Sequence, residues 1–250
     1  MVSILGIPMF EGTISSAVEL VCEEIESNNK CISATGAHGM IEAKKNSTFR
    51  KILKNFYLNL PDGMPGVWVG KMKGAKIMER CYGPDFFKLT MINSAPLEEI
   101  KHFFCGGMEG VAINLKRSVE NKFNNYNVVG TYCPPFKPVD KFDYSLIAER
   151  INSSNASIVW IGLSTPKQEQ FAHHLSKHTK VKHIITVGAA FDFHIGKVKQ
   201  APNWMQRIGM EWFFRLLMEP KRLWKRYFEI VPLFIYYNFV ELIKGEFFKK

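Results

Sequence analysis

Short apolar runs alternate with amphipathic stretches through the first 198 residues. Residues 2–7, 31–34, 102–105, 128–131, 158–162 and 184–187 are brief and rich in Val, Ile and Phe, and several end at Gly, Ser or Thr, a pattern that predicts strands. Residues 13–26, 47–59, 108–123, 144–153 and 168–177 carry apolar positions at helical spacing and predict helices between them. Strand alternating with helix predicts an α/β fold, a mostly parallel, Rossmann-like sheet with helices packed on it. Ligands of such sheets sit beyond the carboxyl ends of the strands, so the loops that follow the strands are where chemistry is sought.

After about residue 200 the pattern changes. Residues 210–228 and 230–248 predict helices with no strand between them, and Pro220 and Pro232 are expected to break the stretch into pieces. Arg215, Lys221, Arg222, Lys225 and Arg226 alternate with Trp212, Phe213, Trp224 and other large apolar side chains. The last helix has a wide apolar arc and a narrow polar stripe at Asn238, Glu241 and Gly245. The expected division is therefore a core at 1–198 and a basic, aromatic helical appendage at 199–250. The longest apolar stretch, 230–240, is far short of the roughly 20 residues needed to cross a bilayer. Such a tail is expected to lie on a membrane rather than span it.

Composition narrows the classes further. Of 250 residues, 46% are apolar and 22% charged, which excludes a disordered or fibrous chain. The five cysteines include no C-x-x-C pair, so neither a disulfide framework nor a structural zinc site is expected, and a reducing cytosol suits them. The first ten residues lack the basic start and small-residue cleavage site of a secretory signal. The net charge of +10 would suit nucleic acid. In the tail, however, that charge is mixed with large apolar rings, which suits lipid better, so no nucleic-acid partner is expected.

Candidate chemistry lies in the loops. The five aspartates, Asp62, Asp85, Asp140, Asp143 and Asp192, form no D-x-D pair of the kind that holds a divalent ion beside a sugar nucleotide. Phosphate chemistry would then rest on Arg, Lys and backbone N–H groups. Asp62, in LPDGMPGVW, is either an ordinary turn residue or a carboxylate held on a rigid loop to take a proton from a hydroxyl. Ser164–Glu169 reads STPKQE straight after a predicted strand. It is either a plain helix cap or an anion-facing helix start to which Lys167 and Gln168 add a charge and a neutral donor or acceptor. Gly188 opens GAAFDFHIGK, where small residues let a ligand approach the backbone and Asp192 either caps the loop or accepts from a sugar hydroxyl. Gly106–Gly107 is a further glycine turn at a strand end and lacks a full dinucleotide fingerprint. His174 and His178 stand four apart but have no third ligand in view, so solvated histidines are the expectation and no metal site is assigned.

Taken together, the motifs resemble those of the WecG/TagA/CpsF glycosyltransferases, glycosyltransferase family 26. TGAHG (35–39), LPDGMP (60–65), ERCYGPD (79–85), FFCGG (103–107), VGTYCPPF (129–136), STPKQE (164–169), VGAAFDFHIGKVKQAP (187–202) and EWFFRLLMEPKRLWKRY (211–227) fall in the family's order. The resemblance implies an inverting, metal-independent enzyme, without a cofactor, that moves an N-acetylmannosamine-type sugar from a UDP donor. The acceptor it implies is a sugar on a polyprenyl diphosphate, at the inner face of the cell membrane, in cell-surface polysaccharide or teichoic acid synthesis. It implies that Asp62 is the general base and that Thr35, Arg80 and Gln168 belong to the catalytic set. Gly106, Gly107, Lys167, Glu169, Gly188, Asp192, Arg215 and Arg222 are expected to bind substrate. Three positions depart from the family: Ser164 replaces a Gly, Gln200 replaces a basic residue before Ala201-Pro202, and TGAHG lacks a common Asn. These departures bear on the donor's identity more than on the reaction type.

Two other classes compete with this reading. A Rossmann-type nicotinamide oxidoreductase would carry a complete dinucleotide fingerprint, which is not found. A non-catalytic membrane adaptor accounts for the tail but leaves the polar loops unexplained. A homo-oligomer is compatible with the composition.

Overall fold

The computed structural model describes residues 1–23 and 29–247, with side chains to residue 244. Six parallel strands form the central sheet: β3 (Lys30–Thr35), β4 (Leu58–Pro61), β5 (His102–Gly106), β6 (Val128–Tyr132), β7 (Ile158–Gly162) and β8 (His183–Thr186). Their order across the sheet is β4-β3-β8-β7-β5-β6. The α/β class and the parallel sheet are as the sequence predicts. Both faces of the sheet are covered, so the strands alternate between two cores. Phe103, Cys105, Val159, Ile161 and Ile184 point into one, while Phe104, Ile158, Trp160 and Ile185 point into the other. This is the period-two logic of a strand buried on both sides.

One core is closed by α2 (Ala37–Lys45), α3 (Ser47–Lys54), α7 (Tyr144–Ser153) and α8 (Lys167–Leu175). The other is closed by α1 (Ile14–Glu23), α5 (Gly83–Ser94), α6 (Val111–Phe123) and α9 (Ala190–His194). A further helix, α4 (Met64–Met72), leads away from the end of β4.

Several elements differ from the sequence prediction, each for a local reason. Residues 2–7 do not form one strand. A turn at Leu5 (φ 51°) and Gly6 (φ 80°) folds them into the antiparallel pair β1 (Val2–Ile4) and β2 (Ile7–Met9). The helix expected over 47–59 stops at Lys54, and Leu58–Pro61 becomes the edge strand β4. Asn59 stitches that switch: its side-chain amide donates to Leu53 O at 2.8 Å and to Pro8 O at 3.1 Å, which satisfies a helix-end carbonyl. Helices α2, α4 and α5 were not predicted, because internal or leading Gly and Pro mask their periodicity. The last residues expected in the first helix, 24–26, lie outside the described residues, as does residue 248.

The chain then runs through α10 (Asn203–Arg207), α11 (Glu211–Met218) and α12 (Pro220–Phe247). Pro220 starts α12 rather than breaking it, and the helix continues through Pro232 with buried Ile230 and Phe234 on either side. α12 lies across α2. Its inward face carries Leu223, Ile230, Phe234 and the polar positions Asn238 and Glu241. Glu241 accepts from the Leu5 N–H at 3.0 Å and pairs with Lys73 at 2.6 Å, and Glu229 pairs with Lys45 on α2. The polar stripe thus faces the protein, and Phe228, Ile235, Tyr236 and Phe239 are each at least 60% exposed, Ile235 and Phe239 beside the molecule's large cavity.

Candidate functional site

A cavity of about 1230 Å³ opens over the carboxyl ends of β3, β4, β5, β7 and β8. The loop after each of these strands contributes to its wall, through Gly36, Asp62, Gly107, Ser164 and Gly188 in turn, and α11 and α12 roof it. The chain reaches the place predicted from topology because parallel strands deliver every following loop to one edge.

Asp62 follows β4 directly, and its N–H donates to Thr35 O at 3.4 Å. Its Oδ1 accepts from the Gly83 N–H at 2.8 Å, while Oδ2 stands beside Gly36, where a Cβ would approach it to 3.5 Å. Burial pushes the Asp62 pKa up to about 6, against the Gly83 hydrogen bond and the nearby Arg80 charge, which both favour the carboxylate. Gly83 has no room for a side chain, since a Cβ there would meet Val187 O at 3.0 Å.

Arg80 is held on every side. Its Nε donates to Asp62 O at 3.3 Å, Nη1 donates to Gln206 Oε1 at 2.9 Å, and Nη2 pairs with Glu211. The guanidinium stacks over the Tyr82 ring at 4.1 Å. Arg80 therefore touches the Asp62 loop on one side and the tail on the other.

The wall near β7 and β8 is braced by buried polar groups. Gln168 accepts from the Gly188 N–H at 3.0 Å and donates to Thr165 Oγ1 at 3.2 Å and Glu169 Oε1 at 2.8 Å. Glu169 Oε1 also accepts from Ser33 Oγ at 3.3 Å and Thr165 Oγ1 at 2.9 Å. Burial raises the Glu169 pKa, against its hydrogen bonds from Gln168, Thr165 and Ser33. Thr35 continues the network inward through Ser33 Oγ at 3.0 Å and Asn59 Oδ1 at 3.3 Å.

From the tail, Arg215 on α11 and Arg222 on α12 both reach the cavity. They lie on separate helices, because α11 ends and α12 begins around Glu219. Glu219 bridges them, accepting from Arg222 Nε at 2.9 Å and lying 3.9 Å from Arg215 Nη2. Burial opposes the charge on Arg215, yet Tyr227, Tyr82, Asp62 and Glu211 around it hold its pKa above the ordinary value. Three polar atoms here, Arg215 Nε, Glu211 Oε1 and Tyr82 Oη, have no hydrogen-bond partner among the described residues.

Of the residues singled out from sequence, Asp62, Arg80, Gln168, Gly107, Gly188, Asp192, Arg215 and Arg222 share this one cavity. Thr35, Glu169, Gly106 and Lys167 do not line it. Thr35 and Glu169 are buried behind the wall. Gly106 (φ 137°) packs against Gly162, where a Cβ would meet the carbonyl oxygen at 2.6 Å. Lys167 lies over the Phe136 and Phe142 rings at 4.8 and 5.5 Å. Gly107 and Gly188 give close approach but not free donors, since the Gly107 N–H is taken by Gly162 O at 2.8 Å and that of Gly188 by Gln168. Asp192 anchors its own turn, its carbonyl accepting from Lys197 N at 2.9 Å and its carboxylate lying 3.8 Å from Lys197 Nζ.

Sequence reasoning missed Tyr82, Gln206 and Glu211, which encircle Arg80. Tyr82 and Glu211 stood in quoted motifs, but only the topology reveals that 130 residues of chain bring them together. Trp212, expected at a membrane surface, turns inward against Tyr227, with ring centroids 5.9 Å apart, and lines the cavity. His174 and His178 stack on Tyr144. Among the described residues no group of three or more His, Cys, Asp or Glu side chains is placed to hold a metal ion.

The chain is 30% identical over 200 residues, 80% of its length and 75% of the relative's, to an N-acetylglucosaminyldiphosphoundecaprenol N-acetyl-beta-D-mannosaminyltransferase of Bacillus subtilis (strain 168). It is 29% identical over 195 residues, 76% of its length and 71% of the relative's, to a protein of the same name from Bacillus spizizenii. The model of the glycosyl transferase WecG/TagA/CpsF family matches residues 2–247, and the chain belongs to that family of glycosyltransferases.

Proposed function

We propose that this glycosyltransferase moves an N-acetylmannosamine-type sugar from a UDP donor to a sugar carried on a polyprenyl diphosphate, with inversion and without a metal ion. The observation that carries this reading is the position of Asp62. One of its oxygens is held by the Gly83 N–H and the other faces a cavity whose opposite wall is cationic. In an inverting transfer the acceptor hydroxyl attacks the anomeric carbon from the face opposite the departing UDP. Asp62 takes the hydroxyl proton as the new bond forms, and the C1–O bond to the diphosphate breaks with its electron pair going to UDP. Arg215 and Arg222, with Arg80 behind them, meet the charge that develops there.

The acceptor is one long molecule, and the cavity has room for its parts in sequence. Beyond the polar site the wall turns apolar, with Trp68 and Met72 of α4 opposite Phe234, Ile235, Phe239 and Leu242 of α12. That direction suits the first isoprene units. The names of the relatives support a lipid-linked acceptor.

No helix among the described residues is long and apolar enough to cross a membrane. In this reading the chain works as a core of residues 1–198 and an appendage of residues 199–250 that docks on the inner face of the cell membrane. Lys221 and Lys225 meet anionic headgroups there, at about 1 kcal/mol each. Phe228, Ile235, Tyr236 and Phe239 supply the apolar contact.

The test is to incubate the protein in excess EDTA with a panel of UDP-sugars and a short-chain lipid-diphosphate N-acetylglucosamine, and to read product mass. An added N-acetylhexosamine from the manno-configured donor is expected. Absence of product until magnesium or manganese is restored would sink the metal-free part. Product from no UDP-sugar would sink the donor assignment.

A further inference from the structure

Among the described residues Glu211 is the one acidic side chain that the tail buries against the site, at 9% exposure. It pairs with Arg80, whose own side chain is 14% exposed. The contact is specific on both sides. Gln206, also from the tail, accepts from Arg80 Nη1, and its amide is locked by donating to Ala201 O at 2.7 Å. On its far side Arg80 donates through Nε to Asp62 O. A chain of contacts thus runs from the tail through one guanidinium to the main chain of Asp62. It joins residues more than 120 positions apart in the chain.

We propose that Glu211 is a positioning residue: docked on Arg80, it fixes the guanidinium, which in turn fixes the Asp62 loop, so that Asp62 is aimed at the acceptor hydroxyl only when α11 is in place. The proposal rests on the reading of Asp62 as the base. It adds a role for a carboxylate that touches no substrate, and it explains why a cation in a phosphate-handling cleft is neutralised by an acid of the same chain. A buried charge pair of this kind is worth little as a source of stability but fixes one geometry, because either partner left alone is an unpaired buried charge. Displacing a catalytic group by about 1 Å can cost on the order of 100-fold in rate.

The groups that act on Asp62 are the Gly83 N–H, Arg80 on the loop before α5, and Glu211 and Arg215 on α11, while Asp62 in turn raises the pKa of its neighbours Cys81 and Tyr82. Glu211 is the carboxylate among them. Replacing it by Gln removes a negative charge beside Asp62 and leaves Arg80 uncompensated. Both changes favour the Asp62 carboxylate and move its titration to lower pH.

The experiment is a double-mutant cycle of Glu211→Gln, Arg80→Gln and the double variant, with kcat, donor KM and the pH profile measured for each. Asp62→Asn is run in parallel, and melting curves confirm that each variant folds. Glu211→Gln is expected to lower kcat roughly 10- to 100-fold with donor KM little changed, and to move the acid limb of kcat to lower pH. In the Arg80→Gln background it is expected to cost nothing further, because it acts through Arg80. Wild-type kcat with an unmoved acid limb, or losses that multiply independently in the double variant, would overturn the proposal. Should Glu211→Gln fail to fold, Glu211→Asp, which keeps the charge and shortens the reach, serves in the same cycle with the same coupling to Arg80 expected. If Asp62→Asn is fully active, the base assignment itself fails. If Asp62→Asn is inactive while Glu211→Gln behaves as wild type, only the positioning role fails.

Discussion

Asp62 stands between two protonation states near neutral pH, because burial opposes its charge more than the Gly83 N–H and Arg80 support it. A base must be unprotonated, so kcat is predicted to fall below a pH of about 6, by about tenfold per pH unit, and to level off above it. Stability should move the other way. A carboxyl whose folded pKa is raised above its unfolded value of about 3.9 stabilises the fold fully below that value, and the contribution is lost as pH rises through about 6. Asp62→Asn imitates the protonated acid at every pH. It is predicted to unfold at higher temperature than wild type at pH 8, by on the order of 2 kcal/mol of stability, with the gain vanishing near pH 4. Thermal melts at the two pH values check this, and an equal effect at both would contradict the burial argument. At this scale the sequence was informative where rigidity is written locally. The Pro-Asp-Gly setting of Asp62 marks a fixed loop. Nothing local marks Glu211, whose neighbours in sequence are Met210 and Trp212 and whose partner lies on a distant loop.

The elements show the same division between local and long-range information. The buried strands β5, β7 and β8 were legible because apolar β-formers run continuously through them. β4 was not, since Leu-Asn-Leu-Pro follows α3 with only three residues between and its Asn serves as a brace rather than a turn. The tail was legible as helical and amphipathic. Its polar stripe faces inward because Glu241 finds Lys73 and the Leu5 N–H, leaving the apolar arc outside. The orientation yields a prediction for α12. Ile235→Ser with Phe239→Ser should weaken binding to vesicles rich in anionic lipid while the melting temperature stays near wild type, since both side chains are exposed. Sedimentation with vesicles measures it, and undiminished binding would mean that the arc meets something other than lipid. For α11, Arg215→Ala should lower kcat/KM roughly 10- to 1000-fold, as loss of a donor to developing charge typically does. Arg215→Lys should recover only part, because the ammonium lacks the planar fork. A fully active Arg215→Lys variant would reduce its role to charge alone.

For the molecule as a whole, the sheet delivers five loops to one edge and the tail closes over them, meeting the core at Arg80 through Gln206 and Glu211. A protein ending at residue 198 should keep its sheet and its Asp62 loop, but lose the α11 and α12 arginines, the apolar exit and vesicle binding. Circular dichroism, nucleotide binding and transfer assays on that protein separate the three, and normal transfer by it would show that the roof is dispensable. The central claim is that Asp62 performs the proton transfer in a reaction that needs no metal. Its most direct test is turnover of Asp62→Asn against wild type in excess EDTA, with a UDP-sugar donor and a lipid-diphosphate acceptor and with donor affinity measured alongside. The prediction is full wild-type activity in EDTA and a loss of about 100- to 10,000-fold in kcat for the variant, at nearly unchanged donor affinity. Wild-type turnover by Asp62→Asn would contradict it.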